Sequence, residues 1–207
     1  VSFEIVGRKE DIRFYVSVPH ELMELVEKQI HGAYPGAEIK TVEEPTIFTD
    51  GGKVAYESLM KSSAGYFPIQ SFRDLPTDPL SSITSFMAKM RDGEGAILQV
   101  IVSPASHTWG EKGHSYISNA KKNESNPEKA SYSVDPKRLE SVERWAGKPS
   151  FEVSIRLVVN APTKHEAHSL LKQFVGTFSQ LAGPYNKFKA QKIWLKKLFM
   201  IDFIYRY

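Results

Sequence analysis

The sequence contains no cysteine. That excludes a disulfide framework and thiolate metal centres, and it suits a reducing compartment. No apolar run approaches the ~20 residues of a membrane-spanning helix, and nothing at Val1 reads as a signal peptide. A phosphate-binding loop is also missing. Gly51-Gly52-Lys53 is followed by Val54, without the spaced upstream glycine or the Ser/Thr that would hold magnesium. Gly110-Glu111-Lys112-Gly113 fails on the same grounds, so both segments are read as turns and no cofactor is implied.

The 207 residues suffice for one large domain or two small ones with a true core. Net charge is +3, unevenly spread. Residues 1–104 hold 10 Lys/Arg against 15 Asp/Glu, and residues 105–207 hold 17 against 9. Such asymmetry marks either a basic half that faces an acidic partner or two halves that dock on each other. The chain starts without Met and ends on Phe203–Tyr207, which reads as a strand. It is therefore expected to be a segment of a longer protein.

Alternation of Ile12, Phe14, Val16 and Val18 with polar neighbours predicts a strand that Pro19 ends. Leu22, Leu25, Val26, Ile30 and Ala33 then mark one face of a helix, stopped by Tyr34-Pro35-Gly36. Strands are expected near residues 37–44 and over Lys53–Lys61, with a turn at Asp50-Gly51-Gly52 between them. Asp78-Pro79 is a helix start, and Leu80, Ile83, Phe86, Met87 and Met90 are its apolar stripe. Ala96–Val102, apolar on both faces, is a central strand. From Ile12 to Val102 the order is β-α-β-β-α-β, the ferredoxin-like arrangement of an antiparallel sheet with two helices on one face. Phe3–Val6 adds a short preceding strand.

Residues 105–150 form a connection, with a helix across Gly110–Lys121 and another around Asp135–Ala146. Between them Lys121–Ser133 is polar and expected to be exposed and mobile. Phe151, Val153, Ile155, Leu157 and Val159 alternate as a strand, and Thr163–Glu166 is a capping box opening an amphipathic helix. Strands near Phe188–Trp194 and Phe199–Tyr205 complete the reading. The fold class is thus α+β: a ferredoxin-like unit over residues 1–104 and a second, incomplete one over residues 151–207.

Few residues suggest chemistry. His165 and His168, three apart on one helix, could share a zinc ion but lack a further ligand, so they are read as surface histidines. His107, Trp109 and His114 cluster after the central strand, yet Ser106 and Ser115 have no nucleophile context. Trp109 is read as an anchor for the following helix. Glu43 and Glu44 point to opposite sides of a strand and cannot share a proton. The most suggestive segment is Tyr185–Lys197, with Lys187, Lys189, Lys192, Lys196 and Lys197 interleaved with Tyr185, Phe188 and Trp194 and no acidic residue. Lysines neutralise phosphates and aromatic rings stack on unpaired bases, so nucleic-acid contact is one reading. The other is a sheet edge guarded by lysine, with Trp194 in the core.

Three stretches carry a resemblance: VSFEIVGRKEDIRFYVSVP with the following helix ELMELVEKQIHGAYPGAEI, then DPLSSITSFMAKMRDGEGAILQVIVSPA, then FEVSIRLVVNAPTKHEAHSLLKQF with the terminal LFMIDFIYRY. Together they resemble the soluble domain that precedes the ATPase core in coupling-protein-like ATPases of type IV secretion and conjugative DNA transfer in bacteria. The resemblance implies a non-catalytic accessory domain at the cytoplasmic face of the membrane. Its partners would be other domains or subunits of that machine, with DNA as an alternative. No catalytic residue is implied.

Overall fold

The computed structural model describes residues 1–106, 108–124 and 135–207, with the backbone alone at residues 108 and 109. Six strands and six α-helices lie among them. These are β1 (Ser2–Arg8), β2 (Asp11–Ser17), α1 (Met23–Ala33), β3 (Lys53–Lys61), α2 (Pro79–Met87) and β4 (Gly95–Pro104), then α3 (Thr108–Glu124), α4 (Pro136–Ala146), β5 (Phe151–Ala161), α5 (Lys164–Gly176), β6 (Phe188–Gln191) and α6 (Lys196–Tyr205). The strands form a single sheet in the order β2-β1-β4-β5-β3-β6, and every neighbouring pair is antiparallel. The class is therefore mixed α+β, as expected, but strands from residues 1–104 and from residues 151–207 interleave in one sheet.

At the centre β4 and β5 pair over ten residues, from Gly95 opposite Asn160 to Pro104 opposite Phe151. β4 reads as a near-continuous apolar run, while β5 alternates through Leu157 and is apolar on both faces only at Val158 and Val159. On one face Ile5, Leu59, Leu98, Leu157 and Val159 pack against Ile83 and Met87 of α2 and Ala167 and Phe174 of α5. On the other face Val6, Ile97 and Val158 pack against Phe199 and Phe203 of α6. Helices thus lie on two faces, not on one.

The helix starts follow their sequence signals. Asp78 accepts from Leu80 N with Pro79 in the first turn, and Asp135 accepts from Lys137 N with Pro136 in the first turn. At α5, Thr163 and Glu166 form both bonds of the capping box.

Four expectations are corrected. Residues 37–44 form no strand, and β3, which follows them, is flanked instead by β5 and β6. This stretch leads instead to Ile47, which packs into the second core beside Gly95, where a Cβ would stand 2.7 Å from the Ile47 Cβ. Without that strand, the β-α-β-β-α-β order over Ile12–Val102 does not form. Phe199–Tyr205 is helical rather than extended. The run is apolar except for Asp202 and has no alternation to hold one face to water, and as a helix it turns Phe199 and Phe203 together toward the sheet. The strand expected over Phe188–Trp194 ends at Gln191. Of the segment expected to be mobile, Lys121–Glu124 belongs to α3, while residues 125–133 lie outside the described residues.

Close packing leaves no room for a side chain at Gly7. A Cβ on Gly7 would lie 2.5 Å from the Met87 Cβ, whereas one on Gly32 meets nothing within 4 Å. Gly7→Ala is expected to destabilise the fold by about 1–3 kcal/mol in urea unfolding, as α2 is pushed off the sheet. Gly32→Ala, inside α1, should be neutral or stabilising by about 0.5–1 kcal/mol.

Candidate functional site

The antiparallel registers align one residue from each strand into a row across the sheet: Tyr15, Glu4, Gln99, Arg156, Ser58 and Gln191. The row lies on the α6 side, and its middle is almost sealed, with Glu4 3% exposed and Gln99 1% exposed. Buried polar groups must find partners, and these do. Gln99 Nε2 donates to Glu4 Oε1 at 3.0 Å and to the Phe203 carbonyl at 2.9 Å, while Gln99 Oε1 accepts from Arg156 Nη1 at 3.2 Å. Arg156 also donates to the carbonyls of Asp202, at 2.7 Å, and of Tyr207. Glu4 Oε1 further accepts from Ser2 Oγ at 3.0 Å and from Arg206 Nε at 2.7 Å.

This row is a socket for the end of α6. The last carbonyls of a helix lack intrahelical partners and carry partial negative charge, and here a guanidinium and an amide satisfy them from below. Arg206 turns the chain in the left-handed region, φ 60, and Tyr207 N returns to the Asp202 carbonyl at 3.0 Å. A non-glycine residue adopts that conformation at a cost, offset here by the bonds of Arg206 to Glu4 and, at 3.1 Å, to Glu44. Burial lowers the Arg156 pKa, partly opposed by the charge of Asp202. At Arg206 burial acts in the same direction, but the contacts with Glu4 and Glu44 outweigh it and the pKa is raised.

The lysine-rich segment crosses this same side of the sheet. Lys189 sits on the edge strand β6 opposite Met60, and Lys187 just before it exchanges backbone contacts with Ser62. Lys192 lies over the Trp194 ring with Nζ 4.1 Å from the centroid. Trp194 is 79% exposed and so is not a core residue. Lys196 and Lys197 occupy the first turn of α6, where no acidic residue offsets them. All five lysines are exposed, and none has an ion pair among the described residues. A shallow groove between β6 and the start of α6 is lined by Tyr56, Glu57, Gln191, Lys192 and Lys196.

The remaining candidates are not brought together. His165 and His168 are exposed on α5, and His168 Nδ1 lies 2.9 Å from the Lys164 carbonyl of its own helix. Among the described residues no group of three or more His, Cys, Asp or Glu could hold a metal ion. His114 is exposed on α3, which also carries Trp109, and His107 lies outside the described residues. The sequence reading missed Glu4, Gln99, Arg156 and Arg206. Their signal was present, since each of the first three interrupts an apolar strand at the position that should be as buried as its neighbours.

A second surface lies on the opposite side of the sheet. Phe14, Phe3 and Phe151 are 64%, 51% and 62% exposed, and Val153 is exposed beside them. Register places Phe14 beside Ile5, Phe3 between Val16 and Val100, and Val153 beside Val102. They share the face that α2 and α5 cover farther along the strands, so here the apolar sheet runs on past its helices.

A family profile matches residues 1–194, with the description Domain of unknown function (DUF8128). The chain belongs to that family. Every strand lies within the DUF8128 match, and α6 follows it. No curated protein and no solved structure matches the chain.

Arg206→Ala leaves the Glu4 carboxylate buried with only neutral donors. It is expected to destabilise by about 3 kcal/mol and to speed hydrogen exchange in α6 before the rest of the sheet. Arg206→Gly should lose less, because glycine accepts the left-handed turn. Glu57 titrates above the ordinary glutamate range because burial disfavours its charge, despite a bond from the Ser58 backbone. The folded state then holds its proton to higher pH than the unfolded chain does. Stability should fall as pH rises from the unfolded glutamate pKa through the raised one, and Glu57→Gln should flatten that slope in urea titrations.

Proposed function

We propose that this chain is a non-catalytic accessory domain that docks another protein domain on the open half of its sheet. The setting suggested by sequence resemblance is the ATPase of a bacterial type IV secretion or conjugative DNA-transfer machine, on the cytoplasmic side. The observation that carries the docking reading is the uncovered apolar face of Phe3, Phe14, Phe151 and Val153, continuous with the main core. Contiguous exposed apolar sheet is costly in water and is the usual material of a protein interface.

We also read a ferredoxin-like unit in a different frame from the one the sequence suggested. Elements β3, α2, β4, β5, α5 and β6 follow the order β-α-β-β-α-β, and their strands lie side by side as β4-β5-β3-β6. In this frame α3 and α4 are an insertion between β4 and β5, and the β1–β2 hairpin extends the sheet beyond β4, giving it the breadth that leaves one half uncovered.

The test is sedimentation of the chain with the ATPase core of a coupling-protein-like ATPase. Association is expected at micromolar concentration, and Phe14→Asp with Phe151→Asp should abolish it while circular dichroism stays unchanged. No association at that concentration, or association indifferent to both substitutions, would overturn the reading. DNA contact through the basic segment is a second reading, favoured by the five lysines that have no ion pair among the described residues. It predicts single-strand binding that weakens steeply with salt.

A further inference from the structure

We propose that the α6 side of the molecule is a binding surface for an anionic lipid bilayer, engaged in the interfacial plane without crossing it. This surface is separate from the open sheet half, which lies on the opposite face.

Two properties of α6 and its approach carry the inference. First, beyond the two lysines of its first turn, α6 is apolar on both its inner and its outer side. Phe199 and Phe203 face the sheet, and helical geometry places Leu198, Ile201, Ile204 and Tyr205 on the other side, where all four are exposed. Its one acidic residue, Asp202, is half-buried, with its carbonyl toward Arg156. Apolar side chains on both sides of a helix are ordinarily covered on both, yet among the described residues nothing covers this outer stripe. It is too short to span, and no helix among the described residues is long and apolar enough to do so.

Second, the charge and aromatic content around that stripe complement a lipid surface. Lys187, Lys189, Lys192, Lys196 and Lys197 lead into the helix with no ion pair among the described residues, Trp194 stands exposed beside them, and Tyr205 and Tyr207 stack at the far end with centroids 6.3 Å apart. Lysines attract anionic headgroups, and the amphipathic rings of Trp and Tyr favour the headgroup level while the aliphatic stripe enters the acyl boundary. A nucleic acid would use the lysines and Trp194 but gives no role to Leu198, Ile201 and Ile204. The aliphatic stripe therefore decides for the bilayer. The polar socket of Glu4, Gln99, Arg156 and Arg206 holds the inner side of α6 against the sheet, so the outer stripe is presented on a fixed support.

Flotation with phosphatidylcholine vesicles, alone or mixed with phosphatidylglycerol, tests the proposal on the full chain. Binding is expected to the mixed vesicles and not to the neutral ones, and to fall as salt is raised. The triple variant Lys187→Gln, Lys189→Gln, Lys192→Gln should lower the partition coefficient on the order of a hundredfold, from about 1 kcal/mol per lysine. Leu198→Ser with Ile201→Ser should weaken it as well, with circular dichroism reporting that the fold persists. Bromine-labelled lipid should quench tryptophan fluorescence in the parent and not in Trp194→Phe. Absence of binding to mixed vesicles, equal binding to neutral ones, or a triple variant that binds like the parent would overturn the proposal. Salt-sensitive retention of oligodeoxythymidine without vesicle binding would assign the lysines to nucleic acid instead.

Discussion

Arg156 is a charge placed in the middle of an apolar strand, and much of the α6 side follows from where its guanidinium must go. Burial of an unpaired cation is prohibitively costly, and within the sheet Gln99 supplies one oxygen, so its other donors need oxygens from elsewhere. The last carbonyls of α6 supply them, at Asp202 and Tyr207. Gln99 relays the remaining polarity to Glu4, and Glu4 returns it to Arg206 on the same helix end. Apolar packing of Phe199 and Phe203 would hold a helix here in many orientations. The polar row selects one.

That selection divides the molecule into two kinds of surface. On the α2 and α5 side, ordinary apolar packing covers one half of the sheet and leaves the other open. On the α6 side, a single helix is fixed by polar contacts below and is apolar above. The basic segment that precedes it runs along the sheet edge at β6, so charge, aromatic rings and aliphatic side chains come together there.

Local signals proved readable wherever they were self-contained. The caps at Asp78, Asp135 and Thr163 need only neighbouring residues, and the alternation in β2 and β5 needs only a period of two. Pairing was not readable in the same way. Whether residues 37–44 extend as a strand depends on which strand would pair with them, and the sequence does not say which edges are taken. The run Phe199–Tyr205 is apolar but for Asp202, so neither period is visible in it, and the partners of its last carbonyls lie about 46 residues and more away in the chain. The lysines of the candidate site were evident at once. The socket beneath them was not, since Glu4, Gln99, Arg156 and Arg206 look unrelated until the register aligns them.

The order of the strands also governs how the chain can acquire its shape during synthesis. β1, at the start of the chain, pairs with β4, whose own second neighbour is β5. β3 must wait for β5 and then for β6, with Ser58 and Gln191 separated by 133 positions. Few of these pairings are local, so closing the sheet means ordering long loops before their contacts repay the lost entropy. A nascent chain emerging from the ribosome can form the β1–β2 hairpin early, but it holds unpaired edges until nearly the whole sequence is out. Slow, late closure of the sheet, with a period of exposure to wrong partners, is therefore built into this topology.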